Sequence, residues 1–232
     1  LVLNVDIAEL IKTRMPVTLW LTVPAMLFSV IFGIIIGIVC ATHRGSFIDQ
    51  LLTVIMTAMN GIPVFWIGIM LMYLLGVQLK LLPLMGFTSP ADGFGDYLKH
   101  AAMPMFIMTF GPLSSIARQV RTNMLEVLNS DYIGTARAKG LPEKTVINKH
   151  AFRNTLIPLV SYMSFLLPSM FSGALITETL FQIPGIGYIS YQAMVRGDIP
   201  FAMFYTTFLL LLTQVSLILA DIMYAVVDPR VR

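Results

Sequence analysis

Long apolar runs separated by short polar ones dominate the chain. Five of them approach the ~20 residues that a helix needs to cross a bilayer. They cover about 16–41, 51–77, 101–117 with an extension to Val120, 156–180 and 201–227. The first contains no charged residue and stops at Thr42-His-Arg-Gly-Ser46. Proline enters three of the others, at Pro63, at Pro104 and Pro112, and at Pro158 and Pro168. Inside lipid such prolines are tolerated where neighbouring groups take up the carbonyls they free. The pattern predicts an all-α polytopic membrane protein with five transmembrane helices.

Composition closes the soluble alternative. Of 232 residues, 57% are hydrophobic and 12% charged, about half the charged share of an ordinary globular domain. Mean hydropathy is +0.82. So few charges cannot clothe a soluble surface. The net charge of +3 reflects topology, not nucleic-acid binding, because the basic residues sit in short loops between the spans. Ten lie in the 42–50, 118–155 and 228–232 regions, Arg44, Arg118, Arg121, Arg137, Lys139, Lys144, Lys149, Arg153, Arg230 and Arg232, against five in the remaining loops. The richer side is expected in the cytoplasm, together with the C-terminus. The chain then starts outside. Residues 1–15, with Asp6, Glu9, Lys12 and Arg14 along a short helix, read as the end of an extracytoplasmic segment. A further transmembrane helix is expected ahead of Leu1. The single cysteine, Cys40, excludes an intrachain disulfide and a cysteine-rich metal site.

The 118–157 region is the largest polar stretch facing inward. Asn129, Ser130 or Asp131 can cap a helix over roughly 131–139, which Gly140 ends. Leu141-Pro142-Glu143 opens the next helix, with Pro142 near its first position and Glu143 in its first turn. It runs through Val146, Ile147 and His150 toward Arg153. Short side chains at Gly134, Thr135, Ala136 and Ala138 permit close approach by a partner, and Arg137 and Lys139 supply charge around the contact. On the opposite side, Pro184, Gly185 and Gly187 signal a turn in the 181–200 loop.

The run Asp131-Tyr-Ile-Gly-Thr-Ala-Arg-Ala-Lys-Gly140-Leu-Pro-Glu143, followed by His150-Ala-Phe-Arg-Asn154, resembles the coupling loop of ABC transporter permeases of the oligopeptide/dipeptide/nickel importer group. Gly134-Thr135-Ala136 stands at the Glu-Ala-Ala part of the general importer motif and Gly140 at its glycine. The motif's later Ile-x-Leu-Pro is replaced by Arg153-Asn154 and Ile157-Pro158, which fits the peptide/nickel group better than sugar or phosphate importers. The likeness extends over nearly the whole chain. Arg14-x-Pro16-x-Thr18, Gly61-Ile-Pro-Val-Phe-Trp66, Arg118 to Met124, Glu178-Thr-Leu-Phe-Gln-Ile-Pro-Gly-Ile-Gly187, Asp221-x-x-Tyr224 and Asp228-Pro-Arg-x-Arg232 all have counterparts in the family.

The resemblance implies a type I ABC importer transmembrane domain (MetI-like) over residues 16–232, with the cytoplasmic coupling loop at 122–155, and the first-permease (B-type) role. It implies that Asp131, Tyr132, Gly134, Thr135, Ala136, Arg137, Ala138, Lys139, Gly140, Leu141, Pro142 and Glu143 meet a cytoplasmic ATPase, with His150, Arg153 and Asn154 supporting the loop. It implies as partners a second homologous permease, two cytoplasmic ABC ATPases, an extracytoplasmic substrate-binding protein and the lipid bilayer of a bacterial inner membrane. The chain itself is expected to bind no cofactor, no metal and no nucleic acid. ATP and Mg belong to the partner subunits, consistent with the lack of a phosphate-binding loop motif in this sequence. Peptides are the expected cargo, with a nickel chelate as the alternative.

Carboxylates inside apolar spans are costly and point to pairing or function. Glu178, beside Pro184, Gly185 and Gly187, is expected to shape an outer gate. Asp221 is expected either to pair with Arg118 or Arg230, or to sit at headgroup depth. His43, His100 and His150 lie in three different loops and cannot form one metal site, and no catalytic triad is gathered. A secondary transporter would need midplane carboxylates in broken helices, which the spans almost wholly lack. Gly33-x-x-x-Gly37 allows close helix packing.

Overall fold

The computed structural model describes residues 7–227, and among these every regular element is a helix, without strands. The first six residues, with Asp6, and the closing Asp228-Pro-Arg-Val-Arg232 lie outside the described residues. The order is α1 (Ile7–Thr42), α2 (Phe47–Gly61), α3 (Val64–Leu71) continued by a π-helical stretch Met72–Gln78, α4 (Phe94–Leu128) and α5 (Asp131–Ala138). It goes on with α6 (Glu143–Thr145), a second π-helical stretch Val146–Ala151, α7 (Phe152–Met163), α8 (Leu166–Phe181), α9 (Ile186–Val195) and α10 (Ile199–Val227).

Among the described residues three stretches are long and apolar enough to cross a membrane, Ala8–Thr42, Pro158–Phe181 and Ile199–Tyr224, and a fourth is the bent pair Phe47–Gly61 with Val64–Gln78 if that pair is one span. The expected third span lies within α4, which is ample in length but more polar than the other four. No break separates residues 7–15 from the first span: α1 runs through Pro16 and Pro24 as one helix of 36 residues.

Contacts group the chain into two compact units. One comprises the described residues up to Leu27, Ile62–Gly111 and Leu167–Gln214. Its core joins Leu10, Phe171, Ile186, Ala193, Phe201 and Tyr205, with Phe204 and Phe208 packed against them. Phe171 meets Phe208 edge-on at 5.6 Å between ring centroids, and Tyr205 donates its hydroxyl to the Phe171 carbonyl at 3.2 Å. Pro24 has no N–H to offer the carbonyl of Trp20, four residues back. The Tyr97 hydroxyl takes that place, donating to the Trp20 carbonyl at 2.6 Å while its ring packs edge-on against the Trp20 ring.

The other unit comprises Phe28–Gly61, Pro112–Leu166 and the described residues from Val215. Here α1 and α4 approach at the two glycines of Gly33-x-x-x-Gly37. A Cβ on Gly33 would lie 2.8 Å from Ile116, and one on Gly37 2.6 Å from Val120 and 2.7 Å from the Ala117 carbonyl. Cys40, Met56 and Ala117 form a small buried cluster beside them.

Tyr97→Phe leaves the Trp20 carbonyl without a donor and is expected to cost about 1–3 kcal/mol in unfolding measured in detergent. Adding Pro24→Ala restores an N–H for that carbonyl and recovers most of the loss. A double variant no better than Tyr97→Phe alone would show that the hydroxyl does not compensate for the proline.

Candidate functional site

The 130–154 segment is built as an anchored, stiffened surface. Ser130 begins α5 in an extended conformation, but its hydroxyl donates back to the Val127 carbonyl at 2.5 Å instead of capping the helix. Ile133 and Ala136, three residues apart, turn inward and are buried. Asp131, Tyr132, Gly134, Thr135, Arg137, Ala138 and Lys139 are exposed. α5 lies against the Val146–Ala151 stretch, where Val146 and Ala151 are fully buried.

Gly140 closes the helix at φ 75°. Its N–H reaches the Arg137 carbonyl at 2.9 Å and that of Leu141 reaches Ala136 at 3.4 Å, the paired bonds of a Schellman turn. The turn requires a left-handed residue, which explains a glycine there. Pro142, at φ −63°, is the residue before the next helix, not its first.

Arg137 spans the turn to Glu143 through two bonds, 2.7 and 3.2 Å. That guanidinium holds the Glu143 carboxyl below its usual range. A depressed acid contributes stability above its unfolded pKa and loses it as pH falls through the folded value. The tie is therefore complete at neutral pH and opens only on acidification, and its exposure to water keeps its contribution small. Asn154 donates to the Tyr132 hydroxyl at 2.8 Å and to the His150 carbonyl at 3.0 Å, tying α7 to α5. Arg153 remains exposed.

A second site forms around Glu178. It is fully buried, and Gly185 and Gly187 are brought to it. The first N–H groups of a helix have no partner within it. In α9 they are met by side chains from two other helices. Thr18 of α1 accepts the Ile186 N–H at 2.9 Å and donates to Glu178 at 2.5 Å. Glu178 of α8 accepts the Tyr188 N–H at 2.9 Å, with the Gly187 N–H also directed at it. A Cβ on Gly185 would overlap the Glu178 carboxyl group, and one on Gly187 would lie 2.6 Å from the Leu175 backbone. Arg14 reaches the Pro184 carbonyl at 3.4 Å. The glycines thus leave room for the carboxyl group that caps the helix.

Residues 33–232 match the family described as binding-protein-dependent transport system inner membrane component. The chain belongs to this family. It is 35% identical over 227 residues to the oligopeptide transport system permease protein AppB of Bacillus subtilis (strain 168), covering 97% of this chain and 72% of that protein. Against the dipeptide transport system permease protein DppB of Escherichia coli (strain K12) it is 35% identical over 268 residues, covering 100% and 78%. A DppB of Lactococcus lactis is 33% identical over 229 residues, covering 99% and 73%. In fold it matches a chain of the MetNI methionine ABC transporter in an inward-facing conformation, with a TM-score of 0.76 at 19% identity, over 95% of this chain and 97% of that one. The domain is therefore MetI-like, and the chain is a permease component of a membrane transport system and not an enzyme.

Within this inner membrane component, one expected pairing is absent. Asp221 and Arg118 are both exposed and no ion pair joins them, and Arg230 lies outside the described residues. The buried ion pair is instead Arg121 with Asp49, at 2.8 and 2.9 Å. Arg118 and Arg121 are three residues apart on α4, and only the second meets a carboxylate. Sequence reasoning missed Asp49, although Ser46-x-x-Asp49 ahead of an apolar run has the form of a capping box. The Asp49 N–H donates to the Ser46 hydroxyl at 3.3 Å and its carboxylate accepts the Gly45 N–H at 3.0 Å. Thr18 was legible only as a matched position; no local pattern connects it to Glu178, 160 residues away.

Gly185→Ala is expected to cost about 2–3 kcal/mol through overlap with Glu178. Combined with Glu178→Ala, the two losses should fall short of their sum by about 1 kcal/mol or more in a double-mutant cycle read by unfolding in detergent. Strictly additive costs would show that the glycine is not there for the carboxyl group.

Proposed function

We propose that this chain is one of two membrane subunits of an ATP-driven peptide importer, and that residues 131–143 are the surface on which a cytoplasmic ATPase docks. The observation that carries the reading is the build of α5. Small residues stand outward over a buried Ile133 and Ala136 anchor, and a Cβ on Gly134 would have nothing within 4 Å. Such a face lets a partner come close, while the Gly140 turn and the Arg137–Glu143 tie resist bending under load. The bias of basic residues supports a cytoplasmic position for this region and for the C-terminus.

A homologous permease completes the passage and an extracytoplasmic binding protein delivers the cargo. ATP and its Mg are held by the ATPases. Their closure presses on α5 and turns the passage from inward- to outward-facing, which requires contacts that differ between the two states. The Glu178 cap holds α9 as part of the outer gate. Peptide cargo rests on the relatives, which are named as oligopeptide and dipeptide permeases.

Gly134→Trp tests the docking surface. The open space around Gly134 keeps the change in unfolding free energy within about 0.5 kcal/mol. Co-purification of the ATPase and peptide uptake in proteoliposomes should fall about tenfold or more. A variant that still binds its ATPase and transports normally would refute the assignment. For cargo, mass spectrometry of the ligand carried by the cognate binding protein should find peptides, and a metal chelate in their place would overturn that part.

A further inference from the structure

If α5 receives the push of the ATPase, something must carry it onward, and beside its contact with the Val146–Ala151 stretch and α7 the structure offers a direct route through α4. α4 leads into α5 through only Asn129 and Ser130, whose N–H groups bond back to Glu126 and Val127 at 3.3 and 3.0 Å. That elbow is stiff, so α5 and the end of α4 share their motion. About two turns before the end of α4 stands Arg121. Its forked guanidinium holds both oxygens of Asp49, in the first turn of α2.

α2 has few other ties. Of its 15 residues only Asp49 and Met56 are buried. Met56 packs on Ala117 of α4, and its carbonyl accepts the hydroxyl of Ser114 at 2.6 Å. The buried attachments of α2 reach α4 and, through Cys40 beside Met56, also α1; the charged one goes to α4 and is fixed in geometry. The Asp49 side chain is 4% exposed and also receives the Gly45 N–H, so its rotamer cannot follow a shift of α4 without breaking bonds. A helix this poorly buried is not positioned by core packing.

We propose that Asp49 and Arg121 are positioning residues of the transport cycle, a bidentate clamp that makes α2 move with α4 when α5 is displaced. The clamp is distinct from the docking surface: neither residue lies on α5 or within residues 131–143. The inference rests on the reading of α5 as the ATPase contact. Arginine matters here for its planar fork, since lysine would keep the charge but not the two parallel bonds.

The test uses the complete importer in proteoliposomes with its ATPases, the cognate binding protein and a tryptic peptide digest as cargo. Spin labels at Leu51→Cys on α2 and Thr122→Cys on α4, both exposed positions, report the separation of the two helices. In the otherwise wild-type protein that separation should stay constant within ~2 Å between ATP-free and ATP-bound states. In Arg121→Lys it should broaden or shift on ATP binding. Arg121→Lys and Asp49→Asn should each keep ATPase co-purification and basal hydrolysis. They should lose about tenfold in the hydrolysis stimulated by loaded binding protein.

A purely structural pair would lower stability and every activity together. The clamp is overturned if the wild-type label distance changes by clearly more than ~2 Å on ATP binding, whatever the variants do. It is also overturned if both variants keep full stimulation with ATPase bound. Failure of Gly134→Trp to release the ATPase would instead remove the docking reading, so the two failures are told apart.

Discussion

A membrane interior offers no water to a backbone group that its own helix leaves unpaired, and the described structure is organised around that shortage. Pro24 deprives the Trp20 carbonyl of its helical donor, and Tyr97 supplies a hydroxyl. The start of α9 presents three N–H groups with no helical acceptor, and Thr18 and Glu178 accept them. Each unpaired buried group would cost a few kcal/mol. Polar side chains at these points therefore decide which helices must be neighbours, where apolar contact alone would let them slide.

The same constraint separates the two sites in character. The Glu178 cap is enclosed and depends on glycines for space, so it works as a joint whose parts have one arrangement. The α5 segment is the reverse. Its buried part is two small or medium apolar residues, and the remainder is open, solvated and held by bonds that water can replace. A surface of this kind is stable enough to persist without a partner and bare enough to receive one. The π-helical stretch at Val146–Ala151, against which α5 rests, belongs to this picture, since such turns widen a helix locally and recur at functional positions.

The clamp of Asp49 and Arg121 connects these local devices to motion. A buried ion pair is weak evidence of stability, because desolvation offsets much of the attraction. Its value lies in direction: a carboxylate gripped by a planar fork tolerates neither rotation nor sliding. α2, mostly exposed, keeps its register on α4 through this grip, the packing of Met56, and the bonds of Ser114 with Met56 and Asn60.

Much of the candidate site was legible in the chain itself. Hydropathy marks the apolar spans because a bilayer demands a nearly fixed helix length. Gly140 and Pro142 announce the turn after α5, because a left-handed residue and a fixed φ are properties of single residues. Pro184, Gly185 and Gly187 mark a bend for the same reason. The sequence alone also carried the family likeness, in motifs of local spacing. Only the tertiary structure decided which polar residues meet across distance. Arg121 and not Arg118 found a carboxylate, and that carboxylate was Asp49 and not Asp221. The Thr18 hydroxyl donates to Glu178, and Tyr97 compensates for Pro24. These pairings join residues from 72 to 160 positions apart. They depend on which faces of the helices come together, and a linear pattern records a face without naming its neighbour.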